Sequence, residues 1–401
     1  MLNRHTLGVR ATYPGGPARA DTDRVANLRD GVLFCVPLFL VVRVALSILA
    51  VVTVGTVQPP SSAGAGVEVP ATPGWHNAVD GLDRWDAGWF ERISRFGYEQ
   101  QDASAAFFPG FPLAIRATSA ITRIGAFGSA SIVADLSFLG AMIALYLLTA
   151  REFSVGMAQR TVLLLTLFPA SFFFFAPYSE SLFLLWSILA FSCARKGRWW
   201  LAGGAGILSA LTRSVGVLLV PALVYEAIKR PEGGRGKAVV ASLSPLLAPV
   251  LYSAYWWARA GDPLRPLHAQ DAWYRTLAIP VVTLGNALWL GVTGITDARG
   301  IYWTADLILV ALLLVPLAWR WRIIPKSYLI YVVATIVLVL SYPLPERPLL
   351  SVPRFLIVLF PIFWSLASLI AERRRLAIVI GVSAVGYAAL AVAFMNWGFV
   401  F

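Results

Sequence analysis

The sequence predicts an all-α, polytopic membrane protein with about eleven transmembrane helices, and three observations carry that expectation. Hydrophobic residues make up 58% of the 401-residue chain and charged residues only 13%, about half the charged share with which a soluble globule covers its surface. Mean hydropathy is +0.71. Apolar stretches recur at the length, roughly 20 residues, that a helix needs to cross a hydrocarbon core of about 30 Å. Intrinsic disorder, a secreted disulfide scaffold and an ordinary soluble domain are excluded. The two cysteines, Cys35 and Cys193, lie inside apolar runs at a spacing that suits neither a metal site nor a redox pair.

Taken in order, residues 1–30 read as a basic cytoplasmic tail and residues 31–401 as one transmembrane domain. The first span, 32–57, is too long for a secretory signal peptide and lacks a small-residue cleavage site. Further spans are expected at 129–150, 161–176, 179–194, 201–211, 215–227, 239–258, 301–319, 328–342, 355–371 and 376–397. Several are too short to cross alone and read as broken or tilted helices, which a bilayer permits only where protein covers the backbone. Two long connections interrupt the series, 58–128 and 259–300. The first opens in a stretch rich in Pro, Gly, Ser and Ala, then alternates aromatic with charged residues from Asp83 to Ile93. That alternation predicts an amphipathic helix lying in the interface, its tryptophans at headgroup depth. No period of 20 to 50 residues repeats, and no inverted halves are evident.

The distribution of the +12 net charge decides orientation. Arg4, Arg10, Arg19, Arg24 and Arg29 precede the first span, which places the N-terminus in the cytoplasm. Counting alternately from there, the cytoplasmic loops collect Arg151 and Arg160; Arg195, Lys196 and Arg198; Lys229, Arg230, Arg235 and Lys237; Arg320, Arg322 and Lys326; and Arg373, Arg374 and Arg375. The rest of the chain is about neutral. The basicity is therefore an insertion signal, and no clustered patch suited to nucleic acid is present.

The opposite face collects the polar clusters. They are Trp85 and Asp86; Tyr178, Glu180 and their serines; Arg213; His268, Gln270, Trp273 and Arg275; and Arg347 with Arg354. Ionisable groups at a bilayer are costly and turn toward an interior or a wet cavity, so five clusters on one face read as the wall of one site. Each also has a structural reading. Asp86 can cap a helix, Glu180 can sit on a helix dipole, Arg213 and Arg354 can snorkel to headgroups, and the tryptophans can anchor the interface. His268 and His76 have no second ligand at metal spacing. Arg43, inside the first span, requires an acidic or lipid-phosphate partner, and Asp135 and Asp306 are both candidates.

An outward-facing site has no nucleotides, so an activated donor must arrive on a lipid. No GxxxxGK cradle and no Ser-His-Asp arrangement with an elbow glycine pair occurs. One carboxylate with several arginines suits group transfer from a phosphate-linked lipid. The carboxylate takes the proton of an acceptor hydroxyl, and arginines stabilise the departing phosphate. No cofactor is expected, the lipid-phosphate sugar being the substrate. Were a divalent metal used, Asp83, Asp86 and Glu180 are the carboxylates that would gather it.

Trp85-Asp86-Ala87, Gly97-Tyr98 and the run from Ala106 to Leu113 (AFFPGFPL) resemble the GPI mannosyltransferase 2 (PIG-V) family, with its WDA, GY and AFFPxxPL motifs. Phe168-Pro169-Ala170-Ser171 and the YSESLF run from Tyr178 to Phe183 are similar to that family's NPAS and YSESLF segments. Thr212-Arg213-Ser214, Gln270–Trp273–Arg275, Pro353-Arg354-Phe355 and Phe360-Pro361 fall in the same order. The likeness runs from Trp85 to Pro361.

The resemblance implies a GT-C glycosyltransferase with interfacial helices in its first outer loop and an extracytoplasmic active site. It implies a polyprenyl-phosphate-mannose donor, inversion to an α-mannoside, and Asp86 as the catalytic base. Glu180 matches the YSES glutamate, its role open between acceptor binding and a link between helices. Two positions depart from the pattern: Gly88-Trp89 stand where eukaryotic members carry a histidine, and Phe168 replaces the NPAS asparagine. Arginine outnumbers lysine 29 to 4, a bias of GC-rich bacterial coding, which implies a plasma-membrane enzyme with a glycan or glycolipid acceptor other than the eukaryotic one. The competing reading is a flippase or transporter of a lipid-linked or small-molecule substrate. It requires charges through the midplane, where Arg43 is the exception rather than the rule.

Overall fold

The computed structural model describes residues 27–55, 74–99, 103–229, 234–294 and 300–398. The expected cytoplasmic tail and the Pro- and Gly-rich start of the first outer loop thus fall largely outside the described residues. Among these residues eighteen α-helices follow one another. They are α1 (Leu28–Thr53), α2 (Asn77–Asp80), α3 (Asp86–Phe96), α4 (Gly110–Thr122), α5 (Ala126–Glu152) and α6 (Val155–Thr166). Next come α7 (Glu180–Ala194), α8 (Trp199–Thr212), α9 (Leu219–Lys229), α10 (Arg235–Leu243), α11 (Leu247–Ala260) and α12 (Arg265–His268). The last are α13 (Pro280–Thr293), α14 (Gly300–Arg320), α15 (Lys326–Leu340), α16 (Val352–Ile357), α17 (Pro361–Leu369) and α18 (Arg373–Met395).

Among the described residues five stretches are long and apolar enough to cross a membrane: Leu28–Thr53, Ala126–Glu152, Arg235–Ala260, Gly300–Ile323 and Arg373–Met395. Helices α7, α8, α13 and α15 are apolar but shorter. The protein is all-α and multi-pass, as expected, and several of the shorter stretches are broken as expected, while the helix lengths alone do not give a count of eleven. Two of the expected spans are broken at prolines. The stretch 161–176 ends as a helix at Thr166, ahead of Pro169, and resumes as a 3₁₀ turn at Ser171–Phe174. The stretch 355–371 is divided between α16 and α17, which opens at Pro361. Proline lacks the amide hydrogen that a continuing helix needs and disfavours helical geometry in the residue before it. The second outer connection is not simply a loop, because it contains α13. That helix opens on Pro280 and is 14 residues long, below the length a 20-residue ruler detects.

The amphipathic helix expected around Asp83–Ile93 is α3. It buries Ala87, Phe90, Ile93 and Ser94 and packs against α4 and α5. Gly110, at the start of α4, lies against the end of α8, where an added Cβ would stand 2.8 Å from the Thr212 amide nitrogen. Only a glycine allows that approach, which sets α4 beside Arg213. The core is aromatic. Phe138 stacks on Phe174, Phe191 on Tyr328, and Tyr328 meets the Trp364 edge. Arg43 resolves to Asp135, its Nε lying 3.0 Å from the carboxylate and its Nη1 donating to Ser47. Asp306 belongs to Arg347 instead.

At one end of the bundle Arg195, just past α7, clasps the ends of three other helices. It donates from Nε and Nη2 to Glu152 and from Nη1 to Glu226 at 2.7 Å. The Tyr328 hydroxyl donates to Glu152 as well. Removing one member of a buried ionic network strands the others without compensation. Arg195→Met should therefore cost about 3–5 kcal/mol, read as a lowered melting temperature in detergent. Adding Glu152→Gln and Glu226→Gln should restore much of the loss, and a triple variant no more stable than the single one would sink this account.

Candidate active site

The other end of α7 holds the second ionic cluster, built on helix termini. Glu180 is the first residue of α7 and Asp86 the first of α3, where helix dipoles favour negative charge. Arg213 follows the last residue of α8, where positive charge is favoured. Arg354 lies on the short α16 and joins the two acids. Its Nε and Nη2 donate to Glu180 Oε1 at 2.9 and 2.7 Å, and its Nη1 donates to Asp86 Oδ2 at 2.9 Å. Arg213 Nη1 reaches the same Glu180 oxygen at 2.7 Å and donates to the Ser179 hydroxyl at 3.2 Å. Glu180 is wholly buried, whereas the Asp86 side chain keeps 25% of its exposure. Asp86 is the acid in the cluster that a substrate can reach.

The surroundings hold this geometry. Tyr178 donates its hydroxyl hydrogen to the Arg84 carbonyl at 2.8 Å and accepts the Asp86 amide at 3.1 Å. The Arg354 guanidinium lies 4.7 Å from the Tyr178 ring centre and 4.9 Å from that of Phe173. Arg213 covers Phe355 at 4.5 Å. Trp85 immediately precedes Asp86 at φ +52°, Ser351 opens the helix of Arg354 at φ +65°, and Tyr274 precedes Arg275 at φ +52°. Such backbone costs of the order of 1–3 kcal/mol each and collects where function constrains the chain.

Arg275 Nη1 donates to the Tyr342 carbonyl at 2.9 Å, on a strip whose backbone pairs Thr276 with Pro343 and Ala278 with Ser341. Burial lowers its pKa, the Arg354 charge lowers it further, and Asp86 opposes both. The guanidinium therefore stands in the electrostatic field of the cluster.

Of the residues expected at the site, Trp85, Asp86, Tyr178, Glu180, Arg213 and Arg354 converge, and Arg275 feels the charges of Arg354 and Asp86. Arg347 and His268 have carboxylate partners outside that cluster. Arg347 is engaged by Asp306, donating Nε to Oδ2 at 2.6 Å and Nη2 to Oδ1 at 3.0 Å, because a buried carboxylate on α14 demands a counter-charge. His268 is exposed and pairs with Asp262 at 2.8 Å. Its neighbour Ala269 packs with Ile93, about two helical turns from Asp86 along α3. Gln270 is half-buried in a 3₁₀ turn, and the Trp273 side chain lies outside what the structure describes. Among the described residues no three His, Cys, Asp or Glu side chains are grouped to hold a metal.

Sequence reasoning missed Arg84. It is buried, donates to the Met395, Asp80 and Asp83 carbonyls, and lies 5.0 Å from the Trp397 ring centre. It thereby ties the residues before Asp86 to the end of α18. The signal was its place inside the charged and aromatic run that marks α3.

Fold and site together define a multi-pass α-helical membrane protein with a carboxylate–guanidinium centre at one end of its bundle. The model of the mannosyltransferase (PIG-V) family matches residues 32–230, just under half of the chain, and over that segment the chain is similar to the PIG-V family. Arg275 and Arg354 fall beyond the matched segment. The GPI alpha-1,6-mannosyltransferase 2 of Rattus norvegicus is 35% identical over 157 residues, 37% of this chain and 32% of that protein. The GPI mannosyltransferase 2 of Yarrowia lipolytica is 37% identical over 127 residues, 31% of this chain and 36% of its own. The matches thus span about a third of these relatives' length. Among solved structures, ArnT from Cupriavidus metallidurans bound to undecaprenyl phosphate aligns over 91% of this chain and 76% of its own, at 15% identity and a TM-score of 0.49.

Asp83, one turn ahead of Asp86, gives this region a pH dependence. Burial, reinforced by Glu91 and opposed by Arg84, pushes its carboxyl from 3.8 to about 7. The folded state then keeps a proton that the unfolded chain releases. Its contribution to stability is full below the unfolded value and is lost as pH rises through about 7. Asp83→Asn should flatten the decline in melting temperature between about pH 5 and about pH 8; parallel profiles for the two proteins would remove Asp83 as its source.

Proposed function

We propose that this protein is an inverting GT-C mannosyltransferase. It moves mannose from a polyprenyl-phosphate-mannose donor to a lipid-linked or cell-envelope glycan acceptor on the outer face of the plasma membrane. The observation that carries the reading is the partly exposed Asp86 carboxylate, held by Arg354 at the start of a membrane-proximal helix, within the segment that matches the family. Asp86 Oδ2 is bound by Arg354, and Oδ1 has no protein partner among the described residues. That second oxygen accepts the proton of the acceptor hydroxyl. The acceptor oxygen bonds to the sugar's C1, the bond from C1 to the phosphate oxygen breaks, and its electron pair leaves on the phosphate. Attack opposite the leaving group inverts C1. A phosphate leaves well without a proton donor, so a single carboxylate suffices, in contrast to the paired carboxylates of glycoside hydrolysis.

Glu180 spends one oxygen on three guanidinium nitrogens, which supports the link between helices over acceptor binding. The outward orientation is supported by the basic residues Arg151, Arg195, Lys196 and Arg198, which lie at the opposite end of α5 and α7.

The test is incubation of the purified protein with radiolabelled polyprenyl-phosphate mannose and a membrane lipid extract, followed by identification of the labelled product. Asp86→Asn should keep expression and membrane insertion yet lose at least 10²-fold in transfer, the lower range for a lost general base. Full transfer by that variant, or no labelled product from the wild type, would overturn the reading.

A further inference from the structure

We infer that Arg347, through its pair with Asp306, is a positioning residue for the active site, acting through Arg354 on Asp86. This role rests on the transferase reading and adds to it a residue that works from outside the carboxylate–guanidinium cluster.

Arg354 holds the Asp86 carboxylate at 2.9 Å, so whatever fixes the Arg354 backbone also fixes the base. Helix α16, which carries Arg354, is only six residues long, and so short a helix does not hold itself. The chain ahead of it is closed by turns from Arg347 onward. The Arg347 amide donates to the Leu344 carbonyl at 3.1 Å, that of Leu350 to Arg347 at 2.9 Å, that of Val352 to Leu349 at 3.0 Å and that of Phe355 to Ser351 at 3.2 Å. Leu349, Leu350 and Val352 are buried. Ser351 lies between the two arginines at φ +65°, and left-handed backbone at a serine persists only where its surroundings over-determine it.

Two anchors hold it. On one side Arg354 is tied to Asp86 and Glu180. On the other, Arg347 grips Asp306 with two nitrogens on two oxygens, Nε on Oδ2 at 2.6 Å and Nη2 on Oδ1 at 3.0 Å. Its guanidinium also lies 5.5 Å from the ring centre of Tyr302, one turn before Asp306 on α14. That helix belongs to one of the stretches long enough to cross a membrane, so the strap 347–354 runs from a long helix to the acidic cluster. Paired N–H···O bonds of this kind set direction as well as distance. A buried ion pair adds little net stability, and an apolar pair of similar volume serves stability as well. An apolar pair does not supply the direction, and a misplacement of about 1 Å at a reacting group costs up to about 10²-fold in rate.

The experiment compares the full-length wild type in detergent with Arg347→Lys and with an apolar pair, Arg347→Met combined with Asp306→Leu. Melting temperature, amide hydrogen exchange, and kcat and KM for transfer from polyprenyl-phosphate mannose are measured on each. The apolar pair should melt close to the wild type, because no buried charge is stranded. Its kcat should nonetheless fall about tenfold or more, with KM for the donor little changed. The amides of Leu350, Val352 and Phe355 should exchange about tenfold faster. Arg347→Lys keeps the charge without the fork and should lie between the two proteins in kcat and in exchange. Wild-type kcat in a stable apolar pair would overturn the inference, since stability would then be all that the ion pair supplies. Unchanged exchange in both variants would overturn it as well. A raised KM at wild-type kcat would return Arg347 to substrate binding, with the same consequence. Should the apolar pair fail to fold, Arg347→Lys carries the test through the same readouts. No labelled product from the wild type sinks the transferase alone, because exchange still reports whether the pair holds the strap.

Discussion

One guanidinium determines the arrangement of the site. Arg354 draws Asp86 and Glu180 onto the same side chain, although they lie 268 and 174 residues away in sequence. Three helices that share no local connection, α3, α7 and α16, are thereby held at fixed separations. A buried ion pair is weak evidence for net stability, since desolvation offsets most of the Coulombic gain. Its consequence here is positional. The fork of Nε and Nη2 on one glutamate oxygen leaves Nη1 pointing to the aspartate, and the rings of Phe173 and Tyr178 flank it. A lysine would bring the charge without the fork.

The pattern extends along α7. Its first residue, Glu180, is buried against two arginines, and Arg195 just beyond its last is paired with two glutamates. The charges at the two ends are reversed, each favourable to the dipole of the helix that lies between them. In a bundle where apolar packing is largely non-directional, such pairs fix how far each helix is inserted. Helix α7 is 15 residues long and apolar between its ends, so without them little in its side chains would oppose a slide of one turn. The Asp86–Glu180 end of the bundle is in this way coupled in position to the Arg195 clasp through a rigid helix.

Much of the site was legible in the sequence because its residues are polar in places where a membrane protein avoids polarity. Asp86, Tyr178, Glu180, Arg213 and Arg354 were conspicuous for that reason. The same argument registers that a charge exists but not what answers it: Arg347 is paired with Asp306 and His268 with Asp262. For Arg43 the sequence left two carboxylates open, and only folding assigns Asp135 to it and Asp306 to Arg347. Span boundaries read from hydropathy differ from the helices where hydropathy is continuous and the backbone is not. Pro169 and Pro361 break helices without lowering the apolar content around them, and α13 is apolar but short. Arg84 was missed because its work is done through backbone carbonyls, which no sequence pattern displays.

The difference among the arginines follows from the same limit. In sequence Arg213, Arg275, Arg347 and Arg354 are alike, each near the end of an apolar stretch. In the structure they differ in what their donors already hold: three face carboxylates within ion-pair distance and Arg275 faces a carbonyl. A carboxylate at such a distance neutralises the cation and leaves it little to gain from a ligand. A carbonyl orients the group while leaving its charge intact. The left-handed turn at Tyr274 and the strip paired with residues 341–343 fix where Arg275 stands. What marks Arg275 is therefore a fixed position combined with an unanswered charge. Asp86 has the complementary form, with one oxygen held by Arg354 and the other left open.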